Sequence, residues 1–132
     1  MNTLIPPANA LNLTSFKTWM GDDGICRTVT KELAEINLEQ AMENSVAVSS
    51  LYKDRKFPLL IDARNIKYMS KEARKFFSTN GRDIKITCFG IMVKSPLSRV
   101  IGNFFMGLNK PEIPARLFDS EADALQWLKQ YR

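Results

Sequence analysis

The sequence contains no histidine and only two cysteines, and these shortages limit the chemistry open to the protein. Without imidazole there is no histidine general base, no histidine-activated nucleophile and no imidazole metal ligand. Cys26 and Cys88 lie far apart in apolar stretches without CxxC spacing, so we expect two reduced core thiols rather than a disulfide or redox pair. We therefore predict no catalytic residue, no metal site and no cofactor.

Long apolar runs are also missing, since no stretch reaches the ~18 residues that a membrane-spanning helix needs. The first nine residues lack the basic and apolar regions of a signal peptide, so we expect a cytoplasmic protein with no membrane span. Phosphate-loop, dinucleotide-binding and nucleophile-elbow motifs do not occur either. The composition, with 45% hydrophobic and 25% charged residues in 132, is that of one ordinary globular domain.

Charge is spread unevenly along the chain, whose formal net charge is +5. Residues 67–132 hold twelve of the 19 basic side chains but only six of the 14 acidic ones. Such an excess is typical of a solvated helix surface, and it also allows an acidic partner, a phosphate group or an anionic membrane surface. Aromatic residues do not alternate with the basic ones as in a base-stacking platform, so we expect no nucleic-acid binding.

Local patterns divide the chain into an N-terminal arm over 1–10, containing two prolines, and a single domain over 11–132. Two β-type segments, 11–20 and 25–30, flank a Gly-Asp-Asp-Gly tetrapeptide at 21–24, which predicts a hairpin. The first helical pattern predicts a helix from Asn37 to about Lys53, with its apolar side facing the core. That side consists of Leu38, Ala41, Met42, Ser45, Val48 and Tyr52. Further helices are predicted to begin at Ser70, Ser95 and Ser120, and further strands at 57–61, 84–93 and 115–118.

This order, β-β-α-β-α-β-α-β-α, predicts an α/β domain with a mixed, mostly parallel sheet and an antiparallel first strand. Successive right-handed crossovers place the helices mainly on one face of the sheet. The other face then needs the N-terminal arm or a second copy of the chain to cover it. Because Leu4, Ile5, Leu11 and Leu13 are available for such a contact, we expect a homodimer.

Two helix N-termini are predicted near the ends of the most buried strands, and free N–H groups at such ends favour anions. The first begins at Ser70 after Asp62 and Arg64, and the second begins at Ser95 after Lys94. These tips either form a shared basic surface for an anion, a carboxylate or a phosphorylated partner, or the serines simply cap their helices. The candidate binding residues are Asp62, Arg64, Ser70, Lys94, Ser95, Ser98 and Arg99.

Two positions allow more than one interpretation. An aspartate at the end of a buried strand, such as Asp62, fixes a loop by hydrogen bonding or acts as a general base. The helix that follows Ser95 is more apolar than one sheet face requires. Its Phe104 and Phe105 either pack in the core, form an interface or cover an apolar ligand.

The segment 59–77, Leu-Leu-Ile-Asp-Ala-Arg-Asn-Ile-Lys-Tyr-Met-Ser-Lys-Glu-Ala-Arg-Lys-Phe-Phe, resembles the central strand, loop and helix of STAS domains. These are the SpoIIAA-like anti-sigma-factor antagonists. The segments 23–24, 69–74, 95–104, 109–111 and 118–128 are similar to motifs of a bacterial branch of that fold. The resemblance covers about residues 15–130 and implies a SpoIIAA-like fold.

The resemblance implies a non-enzymatic regulatory or protein-binding module with an unidentified protein partner. In such regulators a serine at the start of the second helix is phosphorylated and controls binding to an anti-sigma kinase, which makes Ser70 the possible phosphorylation site. Aligning Asp62 with the family aspartate, however, places Lys71 and Glu72 where the family has serines. The fold is also grouped with lipid-carrying proteins of the CRAL-TRIO type, so the alternative function is binding of a small apolar ligand or lipid.

Overall fold

The computed structural model describes residues 4–79, 85–94, 96, 99–100 and 113–132. Its strands in chain order are β1 (Leu11–Asn12), β2 (Phe16–Met20), β3 (Cys26–Thr30), β4 (Ala34–Ile36), β5 (Phe57–Asp62), β6 (Ile66–Met69), β7 (Ile86–Met92) and β8 (Ala115–Phe118). Its helices are α1 (Leu38–Ser50), α2 (Lys71–Thr79) and α3 (Glu121–Leu128), and Lys129–Tyr131 forms a 3-10 turn. Most of the helix predicted to begin at Ser95, including Ser98, Phe104 and Phe105, lies outside the described residues.

The main sheet has the strand order β1-β2-β3-β5-β7-β8. β1, β2 and β3 pair antiparallel, whereas β3, β5, β7 and β8 are parallel neighbours. The predicted α/β class, the mostly parallel sheet and the antiparallel first strand are therefore confirmed, except that the segment predicted as one strand over 11–20 forms two strands, β1 and β2, which pair with each other. The β2–β3 hairpin turns at residues 21–24, where Gly24 has a φ of 81°, a backbone conformation that glycine adopts without steric cost.

A second, two-stranded parallel sheet of β4 and β6 was not predicted. It forms because β3 and β5 each continue after a short turn into another extended segment. Leu33, with a φ of 55°, lies in the first of these turns. Strands of three and four residues carry too little periodicity to be recognised in the sequence. The consequence for the site is that β6 separates Asp62 from the start of α2.

Helices α1 and α2 cover one face of the main sheet, and α1 ends at Ser50 rather than near Lys53. Their core contacts include Ala41, Val48 and Ala73, which pack with Phe16 and Leu59 of the sheet. The prediction of which α1 residues face the core was partly wrong. Its buried residues are Ala41, Asn44, Ala47 and Val48, while Leu38 and Met42 are exposed.

The opposite face is covered by the chain itself, and this corrects the argument for a homodimer. Leu128 of α3 and Leu4 of the arm are buried in a second core cluster with Leu60 and Met92. Helices therefore lie on both faces, not mainly on one. The uncovered face from which self-association was expected is filled by α3 and Leu4, so that reason for a dimer no longer holds.

The two cysteines are free and buried, as expected. Burial disfavours the thiolate and raises the pKa of Cys26 to about 12 and that of Cys88 to about 11. We expect no reaction of the native protein with Ellman's reagent at pH 8 within minutes, and two reactive thiols after unfolding in guanidinium. Rapid reaction of even one thiol in the native protein would contradict this arrangement.

Among the described residues, no helix combines the length and the apolar character that crossing a membrane requires.

Candidate functional site

The carboxyl ends of three parallel strands meet where the sequence predicted the site. Ala63 donates its N–H to the Met92 carbonyl at 3.0 Å, and Val93 donates to the Phe118 carbonyl at 2.9 Å. The residues following β5, β7 and β8 are therefore neighbours. Ligands of open α/β sheets commonly bind at such an end, so this region is a candidate ligand site.

Asp62 and Arg64 form a two-pronged ion pair at the end of β5. Asp62 Oδ1 accepts hydrogen bonds from Arg64 N–H at 3.1 Å and from Nε at 2.8 Å, and Oδ2 accepts one from Nη2 at 2.8 Å. The hydrogen bonds that Arg64 donates to Asp62 raise the pKa of Arg64 although burial opposes the rise, and the charges of Asp62 and Glu121 add to it. Because Arg64 occupies both carboxylate oxygens, the geometry favours a loop-fixing role for Asp62 over a general base. The expectation of a non-enzymatic protein stays a prediction.

Ser70 is the buried N-cap of α2. Its Oγ accepts the N–H of Ala73 at 3.1 Å, and its own N–H donates to the Ile36 carbonyl at 2.9 Å. With only 6% of its surface exposed, the hydroxyl becomes accessible to a kinase only if this cap opens. Phosphorylation of Ser70 thus stays a prediction, whereas its predicted capping role is confirmed.

The structure does not bring all the predicted site residues together. Ser70 contacts β4 and α2, whereas Arg64 pairs with Asp62 and lies within electrostatic reach of Glu121 on α3. Lys94 is exposed just beyond β7. Arg99 lines a cleft of about 400 Å³ together with β8 and α3. Ser95 and Ser98, near the start of the second of these predicted helices, lie outside the described residues.

Charge at this end of the sheet is mixed rather than uniformly basic. Arg99 and Arg116 share the cleft beside β8 with Asp119 and Asp123, and the Arg64 charge is matched by Asp62. The described part of the predicted surface, which also includes the exposed Lys94, therefore has acidic side chains beside its basic ones, and anion binding there stays a prediction. The proposed apolar site at Phe104 and Phe105 falls outside the described residues and stays a prediction.

An apolar stripe on the outer side of α1 was not predicted from the sequence and is formed by Leu38, Met42 and Val46. We call these three residues the α1 stripe. They are 40%, 48% and 71% exposed and lie at i, i+4 and i+8. The helix turns this side outward because its polar residue Asn44 faces the sheet, where Asn44 Oδ1 accepts a hydrogen bond from Thr18 Oγ1 at 2.6 Å.

The inward-facing threonines were the available sequence signal for this orientation of α1. Thr18 and Thr28 are buried and their hydroxyl groups lie 3.0 Å apart. Buried hydroxyl groups require polar partners, and Asn44 is the helix residue that provides one. When α1 is oriented so that Asn44 bonds to these threonines, Met42 faces the solvent.

A second unpredicted feature is a basic cleft of about 660 Å³ at the amino end of the main sheet, which we call the amino-end cleft. Its basic side chains come from two distant parts of the sequence, residues 53–56 and the C-terminal turn, and Asp22 and Asp23 of the β2–β3 hairpin also line it. The basic residues that line it are Lys53, Arg55, Lys56, Lys129 and Arg132.

No set of three or more cysteine, aspartate or glutamate side chains within the described residues is arranged to hold a metal ion.

The fold is SpoIIAA-like, and two solved structures confirm the fold that the sequence resemblance implied. An uncharacterised protein of the DUF3478 family with a SpoIIAA-like fold, from Shewanella loihica PV-4, is similar with a TM-score of 0.59 and 16% identity, covering 93% of this chain and 99% of its own. An anti-sigma factor antagonist from Mycobacterium paratuberculosis is similar with a TM-score of 0.63 and 24% identity, covering 87% and 95%.

The family model of DUF7793, a domain of unknown function, matches residues 18–132, and the chain belongs to that family. No curated protein matches the chain.

Proposed function

We propose that this protein is a non-catalytic protein-binding module that holds an amphipathic helix of another protein against the α1 stripe. The observation that carries the proposal is the exposure of Leu38, Met42 and Val46 on the side of α1 that faces away from the sheet. Exposed apolar side chains grouped on one helix face are typical of interaction sites. The three side chains extend over about 12 Å along the helix, a length that two turns of a partner helix would match.

The charge of the segment that carries the stripe supports a partner with basic flanks. Four exposed glutamates lie on β4, α1 and the preceding turn, and no lysine or arginine occurs in residues 32–52. Acidic side chains beside an apolar stripe favour a partner whose apolar anchors are flanked by lysine or arginine, because complementary charge speeds encounter and selects orientation. The four glutamates are Glu32, Glu35, Glu39 and Glu43.

The known structures support this use of the fold at a general level. The similar protein from Mycobacterium paratuberculosis is described as an anti-sigma factor antagonist, and an antagonist of that kind acts on another protein. We further propose a cytoplasmic location, which the buried free thiols support because reduced cysteines are typical of that compartment.

Substitution of Val46 by glutamate tests the proposal. Displayed helical peptides selected on the native protein should have apolar residues at i, i+4 spacing with basic flanks. Val46→Glu should weaken their binding by at least about tenfold, because a carboxylate in an apolar contact is left unpaired. Fluorescence anisotropy of a labelled selected peptide measures the change. The melting temperature should stay within about 2 °C, because surface substitutions rarely alter stability.

Val100→Glu is the matched control, because Val100 is a second exposed valine outside α1, at 61% exposure. It should leave peptide binding unchanged. Failure to select any peptide, or equal binding by the Val46→Glu protein, would contradict the proposal. A concentration-dependent dimer in sedimentation that Val46→Glu abolishes would assign the stripe to a second copy of the chain instead.

A further inference from the structure

The turn between β3 and β4 holds an exposed leucine in a conformation that side chains rarely adopt. The N–H of Ala34 donates to the Lys31 carbonyl at 3.1 Å and closes the turn over residues 31–34. Leu33, the third residue of this turn, has a φ of 55° and is 70% exposed. Glycine or asparagine is usual where a turn requires a positive φ, and residues held in such conformations cluster at functional sites. Because Leu33 is mostly exposed, burial within its own chain does not offset the cost of this conformation.

The residues around Leu33 carry an excess of negative charge. Glu32 and Glu35 lie on either side of it in the sequence, and both are exposed. Lys31 is the one basic residue of the segment 28–52, which contains four glutamates. We call residues 31–35 the β3–β4 tip. The tip thus offers an apolar side chain between two carboxylates.

The amino-end cleft has the complementary arrangement, an apolar floor within a basic rim. Phe57 and Pro58 at the start of β5 are buried, and Met20 and Leu51 beside them are partly buried. The cleft volume of about 660 Å³ is in the range of pockets that enclose whole ligands, roughly 300–1,000 Å³. A single apolar side chain and the turn that carries it can therefore enter the cleft.

Most of the positive charge at the amino-end cleft is not balanced by the acids that line it. Both carboxylate oxygens of Asp23 accept hydrogen bonds from Arg27, at 2.7 and 2.8 Å. Asp22 is the other carboxylate among the described lining residues. Five basic side chains therefore face one carboxylate that Arg27 does not already engage, and further carboxylates would be attracted to the rim.

The β3–β4 tip and the amino-end cleft lie at opposite ends of the main sheet. The tip follows the last residue of β3, whereas the basic residues 53–56 precede the first residue of β5. Because β3 and β5 are parallel neighbours, the end of one strand and the start of the other point in opposite directions. A contact between tip and cleft therefore joins different copies of the chain. It leaves one tip and one cleft unoccupied in every pair, so that further copies can add.

We propose that the β3–β4 tip of one copy of this chain inserts into the amino-end cleft of a second copy, and that the protein assembles head to tail. Leu33 of one copy lies on the apolar floor of the next, where burial offsets the cost of its backbone conformation. Glu32 and Glu35 contact the basic rim and select the orientation. Because both glutamates lie outside α1, the contact is separate from the α1 stripe and does not rest on the proposed function.

Sedimentation equilibrium of the native protein in 50 mM NaCl tests the assembly. With a Kd of about 100 µM for each contact, the weight-average mass should rise from about one chain at 5 µM to more than about three chains at 500 µM. Raising NaCl to 500 mM should lower the mass at 500 µM, because salt screens the charges at the rim.

Two variants that each block one end make the test specific. Leu33→Gly/Glu35→Gln removes the tip contacts, and glycine adopts a positive φ without steric cost, so the melting temperature should stay within about 2 °C. Arg55→Glu/Lys56→Glu makes the cleft repulsive to the tip. Each variant alone should keep the mass of one chain at 500 µM. An equimolar mixture should approach the mass of two chains and not exceed it, because one intact tip and one intact cleft remain.

Lys71→Glu/Lys75→Glu is the matched control, because it makes the same change in net charge as the cleft variant at two exposed lysines of α2. It should assemble like the native protein, and so should Val46→Glu on the α1 stripe. A native mass of one chain at 500 µM, or a mass that levels off at two chains, would overturn the proposal. Assembly by either blocked variant alone, no pairing in their mixture, or loss of assembly in a control would do the same.

Discussion

Asp23→Ala should lower the free energy of unfolding by about 3 kcal/mol, because it leaves a buried guanidinium without its counter-ion. Arg27 is 2% exposed, and the two oxygens of Asp23 and the Ile25 carbonyl are its hydrogen-bond acceptors. Gly21 adds to the constraint, since a Cβ at that position would overlap Arg27 Nη1. For a chain of this length the melting temperature should fall by about 10 °C, as measured by calorimetry.

Asp22→Ala is the control for this prediction, because Asp22 is the exposed neighbour in the same turn. It should change the free energy of unfolding by less than about 0.5 kcal/mol. Equal small losses in both variants would show that the Asp23–Arg27 pair does not hold the hairpin.

The effect of Asp23→Ala should also depend on pH. Burial by itself would raise the pKa of Asp23, but the hydrogen bonds from Arg27 and Ile25 and the charge of Arg27 outweigh it and hold the pKa below its ordinary value. A lowered pKa in the folded protein stabilises it above the unfolded-state pKa, about 3.9 for aspartate, and this stabilisation is lost as pH falls through the folded-state pKa. Unfolding by urea should therefore show a difference between the two proteins that is largest near pH 7 and shrinks below pH 4.

Leu128→Ala should cost about 3 kcal/mol and about 10 °C in melting temperature, because it opens a cavity under α3. Leu128 is fully buried among Leu60, Met92 and Phe118 on the face that α3 covers. Chemical unfolding of the variant measures the loss. A loss that does not change with protein concentration would indicate that α3 of the same chain, rather than another molecule, covers this side of the sheet.

Leu125→Ala makes the same chemical change at a partly buried position of the same helix. Its cost should stay below about 1.5 kcal/mol, since less apolar surface is removed from the core. Equal costs for the two leucines, or a loss at Leu128 that depends on protein concentration, would contradict the arrangement. The second result would mean that another copy covers the face.

Much of the architecture could be predicted because its signals are local. Glycines at both ends of the 21–24 turn and the continuous apolar run of β5 specify a hairpin and a buried strand within a few residues. The orientation of α1 could not be derived from apolar spacing alone, because Asn44 is buried by a hydrogen bond to Thr18 on β2. The position of α3 depends on packing against the second sheet face, which helical periodicity does not specify.

The candidate sites show the same division between local and distant determinants. The Asp62–Arg64 pair and the Ser70 cap each join residues two or three positions apart. Asp62, Arg64 and Ser70 were all among the predicted site residues. The separation between the Asp62–Arg64 pair and the Ser70 cap was not predicted, because strand β6, which lies between them, was not predicted. The amino-end cleft joins Lys53 and Arg55 to Arg132 only after α3 has packed across the sheet. No local sequence pattern indicates that meeting.

The outer strands of the main sheet determine how another protein can be held. In the described part of the chain, β1 has two residues and β8 has four, and each pairs with a single neighbour. Strands this short expose few unpaired backbone groups, so they offer a poor template for strand addition and for edge-to-edge aggregation. Extension of the main sheet is therefore a poor mode of binding, and the partner helix proposed above would be recognised by side chains, so that its specificity would be sensitive to single substitutions on α1.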